Sequence, residues 1–110
     1  MITVNVAESR GQITGFRVTG HAGSGKAGTD IVCAAVSVLV LNAVNSCEQL
    51  LGITLPVEDD GETMVCHIPA TDRTAEVQLL LRSMVFGIEQ TAREHGRHVR
   101  LRRQVANDRG

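Results

Sequence analysis

Apolar and polar positions alternate in three short segments of the chain. Residues 2–6 alternate strictly, which predicts a strand that buries one face. A second strand is expected over residues 13–18, where Gly15 marks a β-bulge that shifts the register. Residues 99–101 alternate apolar side chains with arginine and predict the last strand of the chain.

The longest apolar stretch predicts a long helix. Thr29 or Asp30 offers a side-chain oxygen for its N-cap, the helix runs to about Leu51, and Gly52 stops it. The first four turns are apolar on nearly every side. We therefore expect a sheet to cover one side of this helix and another helix or a second subunit to cover the other.

Between this helix and the last strand, the sequence predicts a hairpin and a second helix. Residues 54–58 and 62–68 flank an Asp-Asp-Gly turn. Pro56 restricts the first of these strands to a sheet edge or to a position where its missing N–H does no harm. Thr71 or Asp72 is expected to cap the second helix, which carries an apolar stripe at helical spacing and ends at the glycine before the last strand.

The elements follow one another in the order ββαββαβ, which predicts an α+β fold. Its expected architecture is a five-stranded, mainly antiparallel sheet with two helices packed on it. A chain of 110 residues can bury one core but not two. We therefore expect a single domain over residues 1–105 and a disordered tail over residues 106–110.

Composition narrows the range of functions. The net charge is −1, and the chain has two Phe but no Trp or Tyr, so it has neither a strong basic field nor aromatic platforms for bases, and we expect no direct nucleic-acid binding. The N-terminus lacks the basic region of a signal peptide, and the apolar stretch 31–44 is shorter than the roughly 20 residues that cross a bilayer. A cytoplasmic protein without membrane contact is expected.

The sequence indicates neither a metal nor a cofactor. Its three cysteines include no CxxC pair, so a disulfide framework and a zinc site are both disfavoured. Residues 20–27 nearly match the phosphate-binding loop G-x-x-x-x-G-K-[ST], but Ala27 replaces the hydroxyl residue that binds magnesium. With four glycines, the segment 20–28 is expected to be a mobile loop instead.

The residues best placed for chemistry are Cys33 and His21. With Thr29 or Asp30 as the cap, Cys33 falls in the first turn of the long helix, where unpaired N–H groups and the helix dipole favour a thiolate. His21 opens the glycine-rich loop, which can fold back to bring its imidazole beside Cys33. Ser37 lies one turn later on the same helical face.

A structural role is the alternative for Cys33, because cysteine is often a small buried apolar residue. The helix-terminal position, the glycine-rich loop and the histidine that opens it favour catalysis. Cys47 is expected to be structural. Cys66 and His67 are neighbours in a strand, so their side chains point to opposite faces and cannot form one site. His95 is expected to be a capping charge at the end of the second helix.

The motif around Cys33 resembles the signature of the Prp family of ribosomal-processing cysteine proteases. Residues 20–22 read GHA, and residues 30–37 read DIVCAAVS. Chain length, the order of strands and helices, and the uniformly apolar first helix are also similar to that family over essentially the whole chain.

This resemblance implies a cysteine endopeptidase with a Cys-His dyad, in which Cys33 is the nucleophile and His21 the general base. Asp30 would position the nucleophile or support the base, Ser37 would shape the substrate pocket, and Gly20 would give His21 its backbone freedom. The implied substrate is the N-terminal extension of large-subunit ribosomal protein L-twenty-seven, and the implied assembly is a cytoplasmic homodimer. The alternative is a non-catalytic ribosome-associated binding factor, which the arginines of the last strand would support.

Overall fold

The order of elements is the predicted ββαββαβ. A computed structural model of the chain describes residues 1–20 and 27–106, with the backbone alone in 27–30. The strands and helices are β1 (Ile2–Ser9), β2 (Gln12–Thr19), α1 (Ala27–Leu51), β3 (Val57–Asp59), β4 (Thr63–His67), α2 (Ala75–Glu94) and β5 (Val99–Val105). The disordered tail was expected over residues 106–110, but the Ala106 N–H donates to the carbonyl oxygen of Glu8 at 2.7 Å; residues 107–110 lie outside the described part.

The strands form one five-stranded sheet in the order β3-β4-β2-β1-β5. The pairs β1–β2, β2–β4 and β3–β4 are antiparallel, whereas β5 runs parallel to β1. The sheet is therefore mixed but mainly antiparallel, as predicted. Its parallel pair is possible because α2 carries the chain back across the sheet before β5 begins.

Both helices pack on the same face of the sheet. The inward-facing side chains of the strands are aliphatic apart from one phenylalanine and one cysteine, and they alternate with residues on the opposite face. The main buried members from the strands are Ile2, Val4, Val6, Ile13, Phe16, Val18, Met64, Cys66 and Val99. The other face of the sheet, which we call the open face, carries no helix from the described part of the chain.

The bulge predicted at Gly15 is confirmed. Ala7 pairs with Gly15 and Glu8 with Ile13, so Thr14 is the extra residue of β2. A Cβ atom on Gly15 would lie 2.9 Å from the carbonyl oxygen of Cys66. Glycine is therefore needed here because β4 approaches too closely for any side chain.

The start predicted for α1 is wrong. The helix begins at Ala27, so Thr29 and Asp30 lie within its first turn and neither is the N-cap. The expected loop 20–28 is correspondingly shorter, because its last two residues are helical; residues 21–26 lie outside the described part. The predicted end is confirmed, since the helix stops at Leu51 and Gly52 follows with a φ of +70°.

The hairpin is confirmed, although its first strand is shorter than predicted. β3 begins at Val57, directly after Pro56, and lies at the edge of the sheet, where a missing N–H costs nothing. In the turn, the Asp59 carboxylate accepts from the Gly61 N–H and the Asp60 carboxylate from the Glu62 N–H, both at 2.9 Å.

The cap predicted for α2 is also wrong. Residues 70–72 form a separate 3-10 turn, and the N-cap is Thr74, whose side chain accepts a hydrogen bond from the Val77 N–H at 3.2 Å. The side chains of Thr71 and Asp72 therefore precede the helix and cannot satisfy its first N–H groups. The helix ends at Glu94, two residues before Gly96.

The side of α1 that points away from the sheet is apolar and largely uncovered within this chain. Ile31 is 72% exposed, Val38 64% and Leu41 46%. The two helices meet elsewhere on α1, where Leu39 packs so closely on Gly87 that a Cβ at residue 87 would be 2.8 Å from the leucine. The sheet and α2 therefore supply part of the cover expected from the sequence, while the side with Ile31, Val38 and Leu41 has none from the described part of the chain.

The apolar stretch of α1 extends beyond the residues 31–44 expected from the sequence. Its residues 31–51 have a mean hydropathy of 1.7 and would suffice, by length and composition, to span a bilayer. This is weak support for membrane insertion, because one face of the helix packs in the domain core and core helices pass the same test.

Candidate active site

Gly20 directly follows β2 at a crowded corner of the sheet. Its φ is +79°, and a Cβ atom there would lie 2.5 Å from the carbonyl oxygen of Met1. Its N–H donates to the carbonyl oxygen of Glu62 at 3.1 Å. The residue immediately before His21 is therefore fixed in place and accepts no side chain.

Cys33 lies on the side of α1 that faces the sheet. It belongs to a stripe of buried residues at helical spacing that continues through Val36 and Val40 to Cys47. The Cys33 side chain is 4% exposed and is part of the main core cluster. Ser37 follows one helical turn later and is half-buried.

Cys33 does not lie in the first turn of α1, as the sequence analysis had it. Because the helix begins at Ala27, Cys33 is its seventh residue, and the N–H groups without intrahelical partners are those of residues 27–30. The dipole effect falls off within the first turn, so it acts on Cys33 less than a cap at residue 29 or 30 would imply. Helical side chains lean toward the N-terminus, so the thiol is still directed at that first turn.

The other two cysteines are poor nucleophiles. Burial raises the pKa of the Cys47 thiol. Burial, and secondarily the neighbouring Cys47 charge, raises the pKa of Cys66 to about 12. Both groups are therefore protonated thiols near neutral pH, and the thiol form attacks carbonyls poorly. The structural role expected for Cys47 agrees with its complete burial.

Three of the four histidines lie in the described part of the chain, and each has a place in the fold. His67 is exposed on the open face, whereas its neighbour Cys66 is buried on the helix face, which confirms that the two cannot form one site. His95 is the C-cap residue of α2, at the helix end where it was expected. The carbonyl oxygen of His98 accepts the Ile2 N–H at 2.8 Å where β5 begins.

Of the five residues singled out from the sequence, the structure describes Gly20, Cys33 and Ser37 in full. Cys33 and Ser37 lie one turn apart on α1, and Asp30, in the first turn, precedes Cys33 by three residues. The side chain of Asp30 and the whole of His21 lie outside the described residues. Among the residues that are described, no cluster of histidine, cysteine and carboxylate side chains could hold a metal ion.

Gln78, which was not predicted from the sequence, is the one polar side chain among the buried residues described. Its amide oxygen accepts the Ile13 N–H at 2.7 Å, and its amide nitrogen donates to the Ile13 carbonyl at 2.9 Å. It thereby fixes α2 to the bulged part of β2, the strand that leads to Gly20. The sequence feature that could have identified Gln78 is its place in α2, where a glutamine occupies a core position of the apolar stripe.

Comparison with known proteins assigns the chain to a family. The family model described as "Cysteine protease Prp" matches residues 1–100. The chain is 32% identical over 108 residues to the ribosomal processing cysteine protease Prp of Staphylococcus aureus, which covers 92% of this chain and 97% of that protein. It is 30% identical over 104 residues to the protein of that name from Bacillus subtilis, covering 90% of this chain and 92% of the relative.

Solved structures agree with this assignment. SMU.848 from Streptococcus mutans superposes with a TM-score of 0.90 at 33% identity, covering 96% of both chains. The S. aureus ribosomal processing protease Prp, solved with a substrate peptide, superposes with a TM-score of 0.82 at 28% identity, covering 94% of this chain and 100% of that chain. A further structure of the S. aureus protease carries a covalently linked product peptide (TM-score 0.78, 29% identity, with the same coverage).

The fold, taken with these relatives, defines the chain as a cysteine protease. The match of the family model over residues 1–100 then settles which one: the chain belongs to the Prp family of cysteine proteases.

Proposed function

We propose that the chain removes the N-terminal extension of large-subunit ribosomal protein L-twenty-seven. The observation that carries this proposal is the family match over residues 1–100. Relatives from two organisms are named ribosomal processing cysteine proteases, and the S. aureus protease has been solved with a substrate peptide. For this chain to process L-twenty-seven, its active site must bind the unprocessed form of that protein.

The proposed mechanism is nucleophilic catalysis by a dyad of Cys33 and His21. The Cys33 thiolate attacks the scissile carbonyl, His21 accepts the thiol proton and then donates it to the leaving amine, and water hydrolyses the acyl-enzyme. Their raised pKa values keep Cys47 and Cys66 as thiols, which makes both poor nucleophiles. This supports Cys33, the remaining cysteine, as the nucleophile. The positions of the other three histidines in the fold favour His21 as its base.

The neighbours of the dyad have supporting roles in this proposal. The free N–H groups of residues 27–30 are the candidate oxyanion donors, because the Cys33 side chain leans toward them. Asp30 is proposed to support the nucleophile or the base, although it is not the helix cap. Ser37 is proposed to shape the substrate pocket, and Gly20 to give the chain the sharp turn that leads into His21.

The proposed setting is a homodimer in the cytoplasm. The exposed apolar residues Ile31 and Val38 lie two turns apart on one side of α1, with Leu41 beside them. A second copy of this chain could cover the stripe with the same stripe, because a two-fold interface pairs identical surfaces. Burial of this stripe would complete the cover of α1 that the chain alone leaves open.

The substrate is tested by mass spectrometry of cleavage products. A peptide that spans the extension and the mature start of the host's own L-twenty-seven is expected to give a single cut, at the junction between the two. The matched control has the same composition with the residues around the junction scrambled, and it should stay intact. Cleavage of both peptides, or of neither, would contradict the proposed substrate.

The general base is tested with a pair of histidine variants. His21→Ala is expected to lower kcat/KM by about 10²-fold or more, because a positioned base contributes that much to acyl transfer. His67→Ala is the control, since His67 lies on the open face away from α1, and it should stay within about twofold of the native chain. Equal effects of the two substitutions would count against the dyad.

A further inference from the structure

Three rows of side chains cross the open face of the sheet. The register aligns Thr19, Thr3 and Arg100 in one row, and Arg17, Asn5 and Arg102 in the next. In the third row, Gly15 and Ala7 are followed by Gln104. The centre of this face therefore has short side chains, and longer ones that end in hydrogen-bonding groups flank it.

Three arginines give this face a local positive charge. Arg17, Arg100 and Arg102 are all exposed, and none of them forms an ion pair with another described residue. Arg103 points to the opposite face and pairs with Glu89 of α2 at 2.8 Å. Within the described strands, the register places one carboxylate on the open face, that of Glu58 in the edge strand β3. Arg17 shares a hollow with Glu58 and with Asp59 and Asp60 of the hairpin, so the positive charge of the face is least opposed at Arg100 and Arg102 of β5.

The spacing of the arginines follows from the geometry of the sheet. Arg17 and Arg102 are two strands apart, or about 10 Å, and Arg100 and Arg102 are about 7 Å apart along β5. A shallow hollow of about 370 Å³ lies over Gly15 and Ala7, with Asn5, Arg17 and Gln104 in its lining. Guanidinium and amide groups therefore lie beside a recess with a small-residue floor, and Val65 and His67 of β4 also line it.

We propose that the open face binds the sugar-phosphate backbone of double-stranded RNA. Arginine, asparagine, glutamine and threonine are side chains with which proteins contact phosphates and sugars. The face is flat and has no protruding element that could enter a deep groove, whereas the minor groove of A-form RNA is wide and shallow and displays 2′-hydroxyl groups. Phe, Tyr and Trp are absent from the described part of the face, and its one ring is the imidazole of His67, so it lacks the series of stacking platforms that single strands use.

The net charge of −1 argues against nucleic-acid binding only if charge is spread evenly over the molecule. The fold instead collects three arginines on the face that the helices leave uncovered, so local charge and overall charge differ. RNA binding of this kind would hold the protease near RNA-bound substrates. It does not depend on the proposed substrate or on the dyad, because the open face lies on the opposite side of the sheet from α1.

Fluorescence anisotropy with a labelled RNA duplex of about 16 base pairs tests the proposal. The full chain should bind at low salt with a Kd on the order of 10⁻⁵ M, and binding should weaken steeply between about 50 and about 200 mM salt. The triple variant Arg17→Gln, Arg100→Gln, Arg102→Gln should weaken binding by on the order of tenfold or more. It should also reduce the slope of log K against log salt by about three, or about one per lost phosphate contact.

A charge-matched variant is the control. Arg82→Gln, Arg93→Gln, Arg97→Gln removes three exposed arginines from α2 and the turn after it, and it should bind RNA within about twofold of the native chain. Circular dichroism should show that both triple variants are folded.

Four results would overturn the proposal. The first is no binding by the native chain at low salt, and the second is equal losses in the two triple variants. The third is equal binding of a DNA duplex or an acidic peptide. The fourth is dissociation of a homodimer by the open-face variant with RNA affinity unchanged, which would make this face an interface between copies of the chain.

Discussion

At the scale of single residues, two glycines with similar backbone angles have different surroundings. Gly11 and Gly20 have φ values of +76° and +79°. No atom lies within 4 Å of a Cβ built on Gly11, whereas a Cβ on Gly20 would meet the carbonyl oxygen of Met1. Alanine substitutions at these two positions therefore separate the free-energy cost of a left-handed backbone from the cost of a steric clash.

Gly11→Ala is expected to destabilise the chain by about 1–2 kcal/mol, from the backbone conformation alone. Gly20→Ala should cost about 1–3 kcal/mol more, because a backbone carbonyl must also move, and it should lower kcat/KM where Gly11→Ala does not. Urea unfolding and peptide cleavage measure the two effects. Equal destabilisation by the two variants would show that the corner at Gly20 can relax.

A second prediction concerns Gln78, which satisfies both backbone groups of Ile13. Gln78→Leu keeps much of the side-chain volume but leaves a buried donor and a buried acceptor unpaired, so it should cost about 2–4 kcal/mol. Gln90→Leu, at an exposed position of the same helix, should change the free energy of unfolding by less than about 0.5 kcal/mol. Urea unfolding of both variants provides the comparison, and a small effect at Gln78 would show that water replaces its amide.

The role of a single residue could be predicted from the sequence where the backbone conformation at its position requires a particular amino acid. Gly15 and Gly52 were identified because a bulge and a helix end select glycine. The helix caps were not, since serine, threonine and aspartate are common before helices and several candidates stood close together. The role of Gln78 depends on a partner 65 residues away along the chain, and no local pattern reveals such a contact.

At the scale of elements, the sequence patterns located the five strands and two α-helices, and the first residues of β1 and β5, but not the first residues of the helices. α1 begins at Ala27, although Gly28 and Thr29 are weak helix formers. α2 begins later than predicted, because the chain first makes a separate 3-10 turn at residues 70–72. Helix starts depend on which side chain reaches a free N–H, and that is decided by tertiary structure as well as by propensity.

The cap of α2 gives a prediction at this scale. Thr74→Ala should cost about 1 kcal/mol, because it removes the hydroxyl that accepts the Val77 N–H. Thr71→Ala should be nearly neutral, since Thr71 is exposed and lies before the helix. Thermal or urea unfolding of the two variants distinguishes them, and a larger loss at Thr71 would restore the cap predicted from the sequence.

At the scale of the whole molecule, the sequence predicted the number of layers but not the order of strands. The parallel pairing of β1 with β5 joins the two ends of the chain, and alternation within a strand does not reveal its neighbours. The alternation of β5 nevertheless indicated that Arg100 and Arg102 would share a face. Only the strand order shows that Arg17 of β2 joins Arg100 and Arg102 on it.

The proposed homodimer belongs to the same scale. Val38→Glu places a charge in the middle of the exposed apolar stripe of α1 and should convert the dimer to a monomer at micromolar concentration, because an unpaired charge is costly to bury. Leu50→Glu, at an exposed position of α1 outside that stripe, should leave the dimer intact. Sedimentation velocity measures both variants. A native chain that is monomeric, or a Val38→Glu variant that remains dimeric, would exclude this interface.

The most direct test of the central claim compares two cysteine variants in the peptide-cleavage assay. Cys33→Ala should abolish cleavage while remaining folded, because the nucleophile is lost and only a small side chain is removed. Cys47→Ala, at another buried position on the same face of α1, should cost about 1 kcal/mol of stability and retain cleavage. Cleavage by Cys33→Ala at a rate close to that of the native chain would contradict the assignment of Cys33 as the nucleophile.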